Sequence, residues 1–333
     1  MNLSTSYMGF QLPHPLVPGA SPLVDDLDTV RRLEDAGAPM VVMHSLFEEQ
    51  VVREELAVMR SLETPKESFA EALSYLPEPE EFRLGPDEYL DQVRRIKAAV
   101  AVPLIASLNG TTEGGWLRYA KLIEQAGADG LELNLYELAT DLKETGERVE
   151  CRDLQVVRAV KSSVKIPVAV KLSPFYSSIA NFAAKLGEAG ADALVLFNRF
   201  YQPDIEVEQQ ELLRVNLSSP SELLLRLRWI GALSGRIRPA LAATGGVESV
   251  VHVVKAVMAG AHVTQMVSAL LRHGPAYLER VRVDLERWLE EHDCDSLRQI
   301  QGSMSLQRCP NPAAYKRANY IRLLQSWQAE DVK

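Results

Sequence analysis

The chain has 333 residues, 47% of them hydrophobic and 24% charged, with a net charge of −9. This apolar content excludes wholesale disorder, the length admits two average domains or one large single-core fold, and the acidic balance without a basic block excludes a nucleic-acid-binding surface. Cys151, Cys294 and Cys309 are odd in number and without metal-ligand spacing, and no stretch reads as a signal peptide or membrane span, so a soluble cytoplasmic protein is expected.

In chain order, an apolar run at 15–21 precedes an amphipathic helix over 25–36, and from there one phrase recurs. EDAGAPMVVMH starts at Glu34, EQAGADGLELN at Glu124, GEAGADALVLFN at Gly187 and VMAGAHVTQMVS at Val257. Each follows a helical pattern, turns on a glycine (Gly37, Gly127, Gly190, Gly260) and enters a short apolar run. The spacing predicts a helix closed by glycine at positive φ, then a strand buried on both faces. Three further runs, AVPLIASLN at 101–109, KIPVAVKLS at 165–173 and RPALAATGG at 238–246, enter after prolines. The remaining helices are expected over 87–99, 115–125, 152–163, 179–188, 221–233, 248–259 and 276–291.

Eight parallel-type strands separated by helices predict an α/β fold, a closed (β/α)8 TIM barrel. A doubly wound open sheet is the alternative, and the absence of a GxGxxG turn weighs against it. The barrel is expected over residues 1–300 with an N-terminal hairpin. A helical tail over 301–333 carries an apolar stripe of Tyr320, Leu323, Leu324 and Trp327, expected to pack on the barrel or on a partner subunit. Two connections are long: 45–86 after the second strand, and 199–220 after the sixth, whose DIEVEQQELLRVNL suits a small hairpin. Both leave strand C-terminal ends, where barrel enzymes build mobile walls, so both are expected as lid insertions over the substrate face.

Barrel active sites lie at the C-terminal face, so what closes each strand matters. The strands close on Ala20-Ser21, His44-Ser45, Asn109-Gly110, Asn134, Lys171, Asn198, Thr244-Gly245-Gly246 and Val267-Ser268. A strand-embedded lysine needs an anionic or hydrogen-bonding partner, because an unpaired buried ammonium is costly. The glycine pair and the Val267-Ser268 turn lie after the strands where many barrels hold a phosphate. Together these residues suit a phosphorylated cofactor with a polar ring system. The histidines show no metal spacing, and no metal is expected.

ASLNG (106–110), ELNLY (132–136), VAVKLSPF (168–175), LFNRFYQPD (196–204) and SALLRHGP (268–275) carry a resemblance. The chain resembles the dihydroorotate dehydrogenase family of flavin barrels, most of all its dihydroorotate-dehydrogenase-like branch. The resemblance implies an FMN-dependent oxidoreductase acting on a small-molecule substrate, as in pyrimidine biosynthesis. It implies that Ala20, Ser21, His44, Ser45, Asn109, Asn134 and Lys171 border the flavin, with Lys171 beside the N1/C2 edge, and that Gly245, Gly246, Val267 and Ser268 cradle the phosphate. Asn198 is implied on both the flavin and the substrate.

Three positions depart from the family pattern. His44 stands where a lysine is usual. The loop after the fourth strand, normally Asn-Leu-Ser-(Cys or Ser)-Pro-Asn with Cys or Ser as base, reads Asn134-Leu135-Tyr136-Glu137-Leu138-Ala139, which makes Glu137 the candidate base if partial burial raises its proton affinity. Arg199 replaces a small residue and is expected to pair a substrate carboxylate or a nearby acid such as Asp204. Dihydroorotate oxidation is the leading expectation, and a flavin-binding or electron-transfer subunit without a base is the alternative. A homodimer and an electron-accepting protein partner are expected, since no cysteine cluster suggests an iron–sulfur centre.

Overall fold

In all four recurrences of the helix–glycine–strand phrase the glycine is left-handed, with φ of +89° at Gly37, +100° at Gly127, +104° at Gly190 and +123° at Gly260. The next amide donates back across the turn in each case: Ala38 to Leu33, Ala128 to Ile123, Ala191 to Leu186 and Ala261 to Ala256. That Schellman closure satisfies the last carbonyls of the helix and aims the chain into a strand. The aspartate of the AGAD phrase adds a fixed start. Asp129 Oδ2 accepts from Leu104 N at 2.8 Å and from Lys97 Nζ at 2.7 Å, and Asp192 Oδ2 repeats this with Val168 N and Lys161 Nζ.

The computed structural model describes residues 1–48, 86–110, 113–199, 204–206, 211–213 and 217–312. A hairpin of β1 (Thr5–Tyr7) and β2 (Phe10–Leu12) comes first, then β3 (Leu16–Pro18), α1 (Leu27–Asp35) and β4 (Val41–Phe47). Next are α2 (Pro86–Ala99), β5 (Leu104–Asn109), α3 (Glu113–Gln125), β6 (Gly130–Asn134), α4 (Gly146–Ser163) and β7 (Val168–Leu172). They are followed by α5 (Ile179–Glu188), β8 (Ala193–Leu196), β9 (Asp204–Glu206), β10 (Glu211–Leu213), α6 (Leu223–Leu233), β11 (Ala240–Thr244) and α7 (Val250–Ala259). The last are β12 (Val263–Met266), α8 (Ser268–His273), α9 (Tyr277–Glu291) and α10 (Leu297–Ile300). Eight strands pair in parallel in the order β3-β12-β11-β8-β7-β6-β5-β4, and β3 lies against β4, so the sheet curls into a (β/α)8 barrel.

Helix starts differ from expectation where a cap decides them. The first begins at Leu27 because Asp26 accepts from Thr29 N at 2.9 Å. The fourth begins at Gly146, not residue 152, because Thr145 caps Arg148 N. Pro220–Glu222 is a 3-10 turn ahead of Leu223, α7 starts at Val250, and the short α8 was not expected.

Strand side chains alternate between two cores. Outward residues such as Leu104, Leu131, Val168, Leu194 and Leu241 join the helices. Inward residues Val17, Val42, Ile105, Ala169, Val195, Ala242 and Val263 meet Tyr7, Met8 and Leu12 of the hairpin. The hairpin turns on Met8 and Gly9, both at positive φ, the geometry that suits a two-residue turn. It plugs the N-terminal end, and a Cβ at Gly130 would stand 2.7 Å from Ile105 Cδ1 and 3.1 Å from Met8 Cε.

The alternating stretch after β8 does form an antiparallel hairpin, with Glu211 opposite Glu206 and Leu213 opposite Asp204. Most of the 45–86 excursion and the apolar stripe at 320–327 lie outside the described residues. Residues 301–309 turn back on the barrel, with Gly302 N donating to Val257 O and Leu306 N to Gly231 O. Among the described residues no helix is long and apolar enough to cross a membrane.

Candidate active site

Above the apolar floor the inward positions turn polar. Glu132, Lys171 and Gln265 are buried in the lumen. Lys171 Nζ donates to Glu132 Oε1 at 3.1 Å, and Gln265 Nε2 donates to Glu132 Oε2 at 2.8 Å from across the barrel. The partner that the strand lysine requires is therefore within the protein. Glu132 and Gln265 are the residues that sequence reasoning missed. Glu132 alternates with Leu131 and Leu133, a signal of inward orientation present in LELN, although nothing local says that it faces Lys171.

One layer higher are Asn109 and Asn134, both buried, on the same strand faces as Ser107 and Glu132. Asn134 registers with Lys171, and its Oδ1 is buried without a hydrogen-bond partner, as is Gln265 Oε1. Ser45 Oγ meets Ser107 Oγ at 2.7 Å.

His44 does not share that inward face. The register of β4 against β5 shifts between Val42 and Ser45, and the Tyr89 hydroxyl fills the irregularity, 3.0 Å from His44 O and accepting from Ser107 N at 3.0 Å. The His44 ring packs edge-on against Tyr89, with Nδ1 2.9 Å from Asp25 Oδ1. Burial lowers the proton affinity of its imidazole, and Asp25 opposes that shift.

The strand ends after β11 and β12 converge. Gly245 and Gly246 have φ of +91° and +77°, which other residues adopt at a cost. Ser218 Oγ meets Ser268 Oγ at 2.6 Å and accepts from Gly246 N at 3.3 Å. Below them Arg226 is buried, with Nε donating to Thr244 O at 3.0 Å. Val267 packs against the bend before Ala20 and Ser21: a Cβ on Gly19 would stand 2.8 Å from Val267 Cγ2. Ser218 and Arg226 also escaped the sequence reading, because both reach this corner only through the fold.

The remaining candidates are on the rim. Glu137 is exposed, not partly buried, and its Oε2 accepts from Arg152 at 2.6 Å. Arg152 also holds Glu144 at 2.5 Å. Beneath this pair Asp153 accepts from Tyr176 Oη at 2.9 Å, and burial pushes its carboxyl up to about 6. Asn198 follows β8, its backbone N–H donating to Leu172 O at 2.8 Å. Arg199 Nε is 3.8 Å from Glu222 Oε1, so the acid near it is Glu222, while the Asp204 side chain lies outside the described residues. The described residues contain no group of three His, Cys, Asp or Glu that could hold a metal ion.

The sequence profile of the dihydroorotate dehydrogenase family matches residues 83–289. A putative dihydroorotate dehydrogenase A (fumarate) from Aeropyrum pernix is 32% identical over 208 residues, 61% of this chain and 67% of the relative. A dihydroorotate dehydrogenase B (NAD(+)) catalytic subunit from Geobacter sp. is 28% identical over 232 residues, 67% of this chain and 75% of the relative. A subunit of the NAD-dependent dihydropyrimidine dehydrogenase of Escherichia coli is 23% identical over 325 residues, 90% of this chain and 76% of the relative. The profile match covers more than half of a chain with this barrel, and the chain belongs to the dihydroorotate dehydrogenase family, oxidoreductases that act on CH–CH bonds.

Proposed function

We propose that this chain is an FMN-dependent dehydrogenase that oxidises the CH–CH bond of a dihydropyrimidine ring, dihydroorotate first among them, at the C-terminal mouth of its barrel. Proteins of the family generally bind FMN. The observation that carries the reading is the inward set of Asn109, Asn134, Lys171 and Gln265, because two of its acceptors, Asn134 Oδ1 and Gln265 Oε1, are buried with no protein donor. A flavin fits them chemically, since it brings a ring N–H and ribityl hydroxyls.

When bound, FMN supplies the ring that accepts a hydride. Lys171 holds positive charge beside the edge where reduction leaves negative charge. Asn109 and Asn134 orient the ring and ribityl chain, with Ala20, Ser21 and Ser45 bordering them. Gly245, Gly246, Val267 and Ser268, joined by Ser218, hold the phosphate. Asn198 orients the substrate, and Arg199 binds its carboxylate on leaving Glu222. Glu137 accepts the carbon-bound proton on a carboxylate oxygen that Arg152 otherwise occupies. A homodimer is the working unit, and a protein partner takes the electrons, as the subunit names of two relatives support.

A second reading rests on one observation: Glu137 is exposed and already paired with Arg152. On that reading the barrel holds flavin and passes electrons without a base. One experiment separates the two. The purified chain is scanned for flavin absorption, then mixed anaerobically with dihydroorotate or with a dihydropyrimidine lacking the carboxylate. A protein that takes up no FMN refutes the cofactor. Bleaching by either compound identifies the substrate, and a yellow protein bleached by neither supports the second reading.

A further inference from the structure

Glu132 is 1% exposed and divides its two oxygens between residues far apart in the chain. Its Oε1 takes Lys171 from the neighbouring β7, and its Oε2 takes Gln265 from β12, which is separated from β6 along the sheet by β7, β8 and β11. Below this bridge is the apolar hairpin plug, whose Tyr7 hydroxyl is buried without a partner. Burial, and next the Glu132 charge, hold that phenol strongly protonated. Above it are Asn109 and Asn134. The carboxylate therefore sits where the apolar floor gives way to the mouth, and it touches Lys171 there.

Resting on the FMN reading above, we propose that Glu132 is a positioning residue that compensates the charge of Lys171 and fixes the amide of Gln265. The floor of the flavin site then presents a neutral ion pair and an acceptor, in place of a bare cation. Two consequences follow from the chemistry. With its NH2 committed to Glu132, Gln265 keeps Oε1 as its open group, so the floor selects a donor on the ligand. With a carboxylate 3.1 Å from Nζ, Lys171 favours an anionic reduced ring less than it would alone. The reduced form is then held less tightly, which eases delivery of electrons to an acceptor.

The test uses four FMN-loaded proteins that step the floor charge: wild type at 0, Glu132→Gln at +1, Lys171→Met at −1, and the double variant at 0 again. The midpoint potential of the bound flavin is read by dye equilibration, and FMN affinity by quenching of its fluorescence. The expected order is Glu132→Gln highest, Lys171→Met lowest and the double variant close to wild type. A tenfold rise in the affinity for reduced over oxidised flavin in Glu132→Gln corresponds to about 30 mV for a two-electron couple. A merely structural role would alter stability without imposing this order on the potentials. A Glu132→Gln potential at or below wild type, or a double variant that stays with Lys171→Met, overturns the proposal. Should Glu132→Gln fail to fold, Lys171→Met and the double variant give the same comparison, since the double leaves no buried charge unpaired. A wild type that takes up no FMN overturns the cofactor reading and this inference together. FMN uptake with unmoved potentials overturns this inference alone.

Discussion

Replacing Lys171 with Met strands the Glu132 carboxylate, which is 1% exposed, in the lumen. The Nζ–Oε1 separation is 3.1 Å, which at an effective dielectric near 20 corresponds to about 5 kcal/mol of Coulomb attraction. Desolvation of the two ions offsets much of that, so the intact pair is worth little net. Breaking it from one side is different, because an uncompensated buried charge costs about 3–5 kcal/mol. Gln265 still donates to Oε2 at 2.8 Å, which places the expectation at the lower end. For a chain of this size roughly 2 °C of melting temperature is lost per kcal/mol, so Lys171→Met should melt about 6 °C below wild type. The double variant Lys171→Met/Glu132→Gln replaces both ions with neutral groups of similar volume and should recover most of the loss. The assay is thermal unfolding of flavin-free protein near neutral pH, which removes ligand linkage. A single-variant cost below about 1 kcal/mol, or a double variant no better than the single, would refute the reasoning.

Three further outcomes are expected. Burial raises the Asp153 carboxyl to about 6 in the fold, above its unfolded value of about 3.9. Its contribution to stability is therefore full below pH ~4 and is lost as pH rises through ~6, so wild type should lose about 3 kcal/mol relative to Asp153→Asn across that window; equal pH slopes in urea titrations would contradict this. Glu137→Gln removes an exposed ion pair and should change stability by less than about 1 kcal/mol. If Glu137 is the base, the same variant keeps its flavin while the reductive half-reaction slows by roughly two to four orders of magnitude in stopped flow; an unimpaired rate returns Glu137 to a solvated rim residue. Gly130→Ala forces a methyl to within 2.7 Å of Ile105 Cδ1 and should cost about 1–3 kcal/mol. Adding Ile105→Val, which removes that atom, should restore part of it, and a fully stable Gly130→Ala would mean that the hairpin plug packs loosely.

The barrel was legible because its evidence is local. A Schellman glycine, an apolar run and a polar strand end recur within a dozen residues of one another, and no distant contact is needed to recognise them. Period-two alternation likewise predicts that Asn109, Asn134 and Lys171 share the lumen face, and all three are buried in the structure, with Asn134 in register with Lys171. His44 escaped this logic because one register shift beside Tyr89 turns a strand-end residue away from the inward face, and alternation cannot announce its own interruption. Glu137 escaped it because a loop residue's exposure depends on what the next helix offers, here Arg152.

The residues alone determined the eight parallel strands of the barrel and the main helices between them, and, away from the irregularity in β4, which strand side chains face inward, since helix closure and pleat are properties of adjacent peptides. Only the closed barrel decided who meets whom inside it. Glu132 and Gln265 are 133 positions apart, and Ser218 and Ser268 are 50 apart. Both pairs touch because curling the sheet brings distant strand ends around one axis, a distance that sequence separation does not encode. The same closure turned a lone strand lysine, read from the sequence as waiting for a ligand, into half of a buried ion pair, because charge in a low-dielectric lumen is tolerated only where the fold supplies its complement.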